Sequence, residues 1–344
     1  MNASPLEHWH ASHGAIRLQD VAEPLRYGDA RAEYEAVAQS AGLFDASASR
    51  DRLLVTGDDR IAFIQGLCTN DVELLPVGGS CEAAFITPKG RLIADVRITR
   101  LDDALLFDME AGRSAALQEE LAKYRIHERA EWSDASADLS ALELWGPGAS
   151  TIVGATIPDG SSQAVDLGEN AFLTVGTPFG LVLYVPADAA SVVADALVQR
   201  AALPVGREAI EVRRIELGLG RFGIDWNEST NPLEAGLDRA LNYKKGCYVG
   251  QEVVAKATYI GHVNRRLVRL TWEGDVVPAG TTLLGGKSPG RITSCARVPG
   301  ESRVVALGVV RRESAAAGSQ LQVGEGGPTG AVVGYPFASR EKPV

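Results

Sequence analysis

Near Arg265 the texture of the chain changes, and nothing else in the sequence constrains the fold as strongly. Downstream of it, "RRLVRLTWEG", "TTLLGG", "GRITSCARV", "VVALGVVRR" and "GAVVGYPF" are short strands at near-regular spacing, separated by glycine-rich turns. A small all-β barrel of about 80 residues fits this pattern. The Gly/Ser/Ala stretch around residues 314 to 328 reads as a mobile-loop candidate. At 344 residues the chain exceeds what one hydrophobic core supports, so two or three packed units are expected.

Upstream, helical and strand patterns alternate. "RAEYEAVAQSAGLF" carries Tyr34, Val37, Ala38 and Ala41 at helical spacing, with Gly42 as its expected C-cap. "RLLVTGDDRIAFIQGLCTNDV" reads as a short apolar strand, an N-cap at Asp58 or Asp59, and a helix through Leu67, with Thr69, Asn70 and Asp71 in the following loop. "AAFIT", the turn "PKGR", "LIADVRIT" and "ALLFDM" form a β-meander, and "SAALQEELAKY" returns to helical period. Residues 48–138 thus form one α+β domain. Strands "AFLTVG" and "GLVLYVP" with the helix "ASVVADALVQRAAL" give a second, discontinuous one from residues 1–47 and 139–262, before a barrel over 263–344.

Composition excludes several classes. No apolar run approaches the roughly 20 residues that span a bilayer, and the N-terminus "MNASPLEHWHASHGAI" has neither a basic start nor an apolar core, so the expectation is a cytoplasmic protein. A formal net charge of -10 argues against general nucleic-acid binding. Cys68, Cys81, Cys247 and Cys295 lie far apart without zinc-ligand spacing, so no metal cage is expected. Three of them, Cys68, Cys81 and Cys295, read as small buried hydrophobes.

The segment Glu211 to Leu267 is dense in glycine, charge and aromatics, and its plain reading is a crossing between domains. "RIELGLGRFGID" and "NPLEAGL" resemble the folate-dependent aminomethyltransferase superfamily, which includes the T-protein of glycine cleavage; so do "GLFDAS", "VTGDDRIAFIQGLCTNDV", "PKGRLIADV" and "GRITSC". Within that superfamily "KGCYVGQE" resembles the signature of the YgfZ branch, folate-binding proteins that support iron-sulfur cluster assembly or repair. The resemblance implies two α+β, ferredoxin-like units and a C-terminal β-barrel in a pseudo-threefold arrangement around a central channel for tetrahydrofolate or a polyglutamylated derivative. It also implies iron-sulfur client enzymes or assembly factors as partners of a monomer that meets neither membrane nor nucleic acid. Two departures from the transferases favour the YgfZ branch: "LTVGTPFGLVLYV" lacks their pterin-gripping Tyr and Glu, and the chain has Cys247, which they lack. A folate-dependent aminomethyl or methyl transferase is the alternative.

A folate site needs a carboxylate, aromatic walls and a cation at its mouth. Asp71 matches the transferase aspartate near folate, with Asn70 beside it; as a bare sequence feature it is a helix-ending turn residue. Arg214 and Glu216 form either a structural ion pair or part of the pocket wall. Tyr243, Tyr248, Tyr259 and Phe222 are available for stacking, or fill a core. Arg221, Arg239, Lys244, Lys245 and Lys256 suit a polyglutamate tail or a solvated face. Cys247 is the expected key thiol: Lys244 and Lys245 would favour its thiolate, able to attack an electrophile, form a mixed disulfide or supply one cluster ligand. Simple burial is its other reading.

Overall fold

The computed structural model describes residues 4–336 except 20, 169 and 287. They group into two compact units. The first holds residues up to 66, 71–82 and 96–210; the second holds 67–70, 83–95 and everything from 211 onward.

The first unit contains a six-stranded sheet in the order Leu203–Pro204, Gly42–Asp45, Leu139–Trp145, Gly180–Pro186, Asn170–Thr177, Ser162–Leu167. Leu203–Pro204 pairs in parallel, and the remaining neighbours are antiparallel. One face carries Leu142, Leu144, Leu181 and Leu183, covered by Ala190, Val193, Ala194 and Leu197 of the helix Ala190–Gln199. Those helical positions recur at i, i+3, i+4 and i+7, which gathers them into a single apolar stripe. A second, five-stranded sheet runs Ser80–Ile86, Leu92–Arg100, Ala104–Glu110, Arg50–Thr56, Glu131–Asp134. The turn end of its first two strands counts with the second unit. That turn is tight: Gly90 N–H donates to the Thr87 carbonyl while Gly90 itself sits at φ 69°, a conformation that favours glycine.

The second unit ends in a closed barrel of Arg265–Glu273, Arg303–Arg311, Gly290–Arg297, Thr282–Leu284, Gln320–Val323 and Thr329–Gly334. Its interior takes every second residue: Val268, Leu270 and Trp272 from one strand, Val304, Ala306 and Val310 from the next. Gly308 fills the remaining position of that alternation because a Cβ there would meet Leu283 Cδ1 at 2.9 Å.

Mixed helices and sheets with a closed C-terminal barrel agree with the expected fold class. Three local expectations need correction. Gly42 does not cap the helix Ala30–Gln39; Ser40 does, and Gly42 opens a strand. The helix expected through Leu67 ends at Gln65; Asp59 is its N-cap as expected, although the Asp59 carboxylate accepts from Arg129 N–H and makes no capping bond to the helix. The loop expected over 314–328 contains the strand Gln320–Val323, which closes the barrel; its short polar-apolar alternation is diluted by the flanking glycines and serines.

Candidate functional site

The cysteine motif of the second unit is built on a stitched platform. Lys245 is buried, and its ammonium donates to the carbonyls of Cys68 at 2.7 Å and Asn70 at 2.8 Å while lying 5.2 Å from the centre of the Tyr248 ring. Asn242 accepts the backbone N–H groups of Lys244 and Lys245 on one side-chain oxygen, and its own N–H donates to the Thr69 carbonyl. Thr69 Oγ1 donates to the Ala240 carbonyl and accepts from Ala84 N–H. Asn70 Nδ2 donates to the Arg239 carbonyl at 3.0 Å. Loop 68–70 and residues 239–245 therefore form one hydrogen-bonded block.

From this block Cys247 projects into solvent, so burial is not its role. The expected pair of activating lysines is corrected: Lys245 is committed to the carbonyls of loop 68–70, and Lys244 is the exposed member. The two glycines around the thiol also differ. Gly250 has φ 79° and a Cβ there would strike the Thr87 carbonyl oxygen at 2.5 Å, so the fold itself requires glycine; a Cβ on Gly246 would meet nothing within 4 Å. Of the remaining thiols only Cys68 is fully buried, whereas Cys81 and Cys295 are half-buried, contrary to expectation. An exposed thiol on a rigid block can attack an electrophile or enter a mixed disulfide, and alone it supplies at most one ligand to a cluster. Among the described residues, no group of three or more His, Cys, Asp and Glu is placed to hold a metal ion.

Arg214 belongs to a closed network. Its Nε donates to Glu211 at 2.7 Å, Nη1 to the Leu219 carbonyl and Asp225, and Nη2 to Glu211 and Ser294 Oγ. A guanidinium has five N–H donors, and all five are used. Asp225, with a fully buried side chain, also accepts from Thr293 Oγ1, Ser294 Oγ and Arg221 N–H. "RFGID" and "GRITSC" are therefore braced together through a buried ion pair, and Arg214 has no donor left for a ligand. Glu216 instead joins Arg213 at 3.1 Å and Arg303 at 3.0 Å; half-buried Arg221 contributes its backbone to the brace.

Tyr248 is half-buried, and burial first, then the neighbouring Tyr243, Cys68 and Tyr259, push its phenol up to about 12. Tyr243 is pushed to about 12 as well, by burial and then Asp238; it meets the exposed Tyr259 edge to face at 6.3 Å. Phe222 is buried. Asp71 counts with the first unit, where its Oδ1 accepts from Gln65 Nε2 and from the N–H groups of Glu73 and Leu74, each at 3.1 Å. That is an Asx-type turn, so the plain reading of Asp71 is realised whatever else it does.

Sequence reasoning missed a second constellation, inside the first unit. Arg50 Nε contacts Asp108 Oδ1 at 2.5 Å, its Nη1 lies 3.9 Å from Glu110, and the buried Tyr184 hydroxyl donates to Asp108 Oδ2. Burial would lower the Arg50 pKa, but Asp108, Glu110 and Glu143 together raise it. Glu143 is buried and accepts from Trp145 Nε1 at 2.7 Å, and Trp145 stacks on Phe179 at 4.0 Å. Buried carboxylates, a guanidinium and a stacked aromatic pair thus gather in one unit. The available signal is "RDRLLVT", where Arg50 and Arg52 alternate with Leu53 and Val55 across the two faces of the strand Arg50–Thr56.

The chain is similar to known proteins over most of its length. The GCVT N-terminal domain family matches residues 6–245. An aminomethyltransferase of Rubrobacter xylanophilus is 29% identical, over 99% of this chain and 95% of that protein. A chloroplastic protein of Arabidopsis thaliana, provisionally named a transferase, is 28% identical over 85% of this chain and 70% of its own length. The glycine cleavage system aminomethyltransferase T from Bartonella henselae superposes with a TM-score of 0.85 at 22% identity, covering 100% of this chain and 99% of that one.

Proposed function

Because the chain belongs to the GCVT N-terminal domain family, we propose that it binds tetrahydrofolate and, as a member of the YgfZ branch, supports iron-sulfur cluster assembly or repair through Cys247. The observation that carries this reading is the exposed thiol within "KGCYVGQE", on a segment whose lysine is locked to the loop 68–70. A structural cysteine would be buried, and this one is the exposed cysteine of the four.

The residues present suit reduced folate in kind. The donor-rich pterin edge calls for a carboxylate, its plane for aromatic walls and its tail for a cation. Asp108, Glu143, the Trp145–Phe179 pair and Arg50 supply these types within the first unit. Folate, when bound, would supply a one-carbon acceptor or donor. We further propose three domains, 48–138, 1–47 with 139–262, and 263–344, a division supported by the segregation of strands into two sheets and a barrel.

Two measurements test the reading. Calorimetric titration with tetrahydrofolate should show saturable binding that Glu143→Gln weakens; a flat titration removes folate. Cells lacking the protein should recover the activities of iron-sulfur enzymes with the wild type and not with Cys247→Ser. Full rescue by the serine variant rejects the thiol. The relatives named aminomethyltransferases support the transferase alternative, which transfer of one carbon from a defined donor at a catalytic rate would establish.

A further inference from the structure

The turn at residues 88–91 and the segment at residues 244–256 pack against each other in the second unit. A Cβ on Gly90 would meet Val253 Cγ1 at 2.7 Å, one on Gly250 would meet the Thr87 carbonyl oxygen at 2.5 Å, and Asn231 Nδ2 donates to the Gly90 carbonyl at 3.2 Å. Along these two stretches Lys89, Arg91, Lys244 and Lys256 are exposed, against one exposed acid, Glu252. Four cations against one anion is a marked local excess in a chain of formal net charge -10. Cys247 and Val253, the latter at 37% exposure, stand exposed among them, and Tyr259, at 61%, follows three residues after Lys256.

We propose that this face docks an acidic polypeptide, with Cys247 in the contact. The inference rests on the reading of Cys247 given above and names the chemical class of its partner. Exposed cations steer an oppositely charged surface and fix its register, while an aromatic and an aliphatic side chain among them provide area to desolvate. A small anionic tail would be better held by a buried cation with donors to spare, and the buried Lys245 donates to two carbonyls instead. Gly246, which the fold does not require, leaves room for a partner's backbone beside the thiol.

Thiol-disulfide exchange on the purified full-length protein tests this. The Cys247 thiolate attacks the peptide sulfur of a probe disulfide, forming a mixed disulfide and releasing thionitrobenzoate, whose absorbance reports the rate. Two probes share that leaving group, one a tetraglutamyl and the other a tetralysyl cysteine peptide, and peptide mapping assigns the modified cysteine. At low salt the acidic probe should react about tenfold faster at Cys247, with the ratio falling towards one near 1 M salt, where the Debye length is about 3 Å. The double variant Lys89→Glu/Lys244→Glu, with an unchanged circular dichroism spectrum, should lose the preference.

Equal rates at low salt, or a preference indifferent to the charge reversal, would overturn the proposal. So would abolition of exchange by saturating triglutamyl tetrahydrofolate, since the face would then belong to the folate tail. The assay requires neither folate binding nor cellular rescue, so its failure is distinct from failure of the function proposed above.

Discussion

Two stretches of the second unit stand out in the sequence with equal force, "RIELGLGRFGID" and "KKGCYVGQE", and their side chains face opposite fates. Arg214 and Asp225 spend their hydrogen-bonding capacity on one another and on Glu211, Thr293 and Ser294, all within the protein. The second stretch turns Lys245 inward, half-buries Tyr248 and leaves Lys244, Cys247 and Glu252 in solvent. A saturated polar network is a brace; a partly spent one has chemistry left to offer.

Mutational cost is the most direct way to break that contrast. Asp225→Ala should destabilise the fold by about 3 to 5 kcal/mol, because it leaves the Arg214 charge buried without its partner. Cys247→Ser should lie within about 0.5 kcal/mol of the wild type, as exposed substitutions do. Urea unfolding of both variants checks this, and equal costs would erase the distinction.

Within the second stretch the two lysines sharpen the same comparison. Lys245→Met strands the carbonyls of Cys68 and Asn70 and should cost about 2 kcal/mol, with faster amide exchange around Thr69; Lys244→Met should cost under about 0.5 kcal/mol. If the two variants unfold at the same urea concentration, Lys245 does not hold the block together.

This contrast marks where the sequence stops being legible. The barrel, the meander and the main helices follow from periodicity and turn residues, because those signals are local. Gln320–Val323 escaped because a four-residue strand between glycine-rich turns carries too little pattern. Which of two adjacent lysines turns inward is set by the carbonyls of residues 68 and 70, far upstream, and no local spacing encodes that. The Arg50–Asp108–Tyr184 cluster escaped for the same reason, since it joins strands from two different sheets.

Thiol reactivity ranks next. Iodoacetamide should modify Cys247 first, Cys81 and Cys295 more slowly, and Cys68 last, in order of exposure. Burial also holds the Cys295 thiol above its ordinary pKa, which slows it further at neutral pH. Peptide mapping over time gives the order. Cys68 reacting before Cys247 would mean that the 68–70 block opens readily and that the platform is not rigid.

The smallest effect is invisible at neutral pH. Tyr243 and Tyr248, at the edge of the same platform, hold their protons in the folded state up to about 12, first because they are buried. In the unfolded chain a tyrosine ionises near pH 10, so between about pH 10 and 12 the unfolded state sheds protons that the folded state keeps, and stability falls as pH rises. Below pH 10 both states are protonated and the contribution is constant. Tyr248→Phe removes one of the two groups and should make the alkaline fall in urea stability shallower, leaving the curve near pH 7 to differ only by a constant. An identical alkaline slope in variant and wild type would place the Tyr248 phenol in solvent, and with it the edge of the block that presents Cys247.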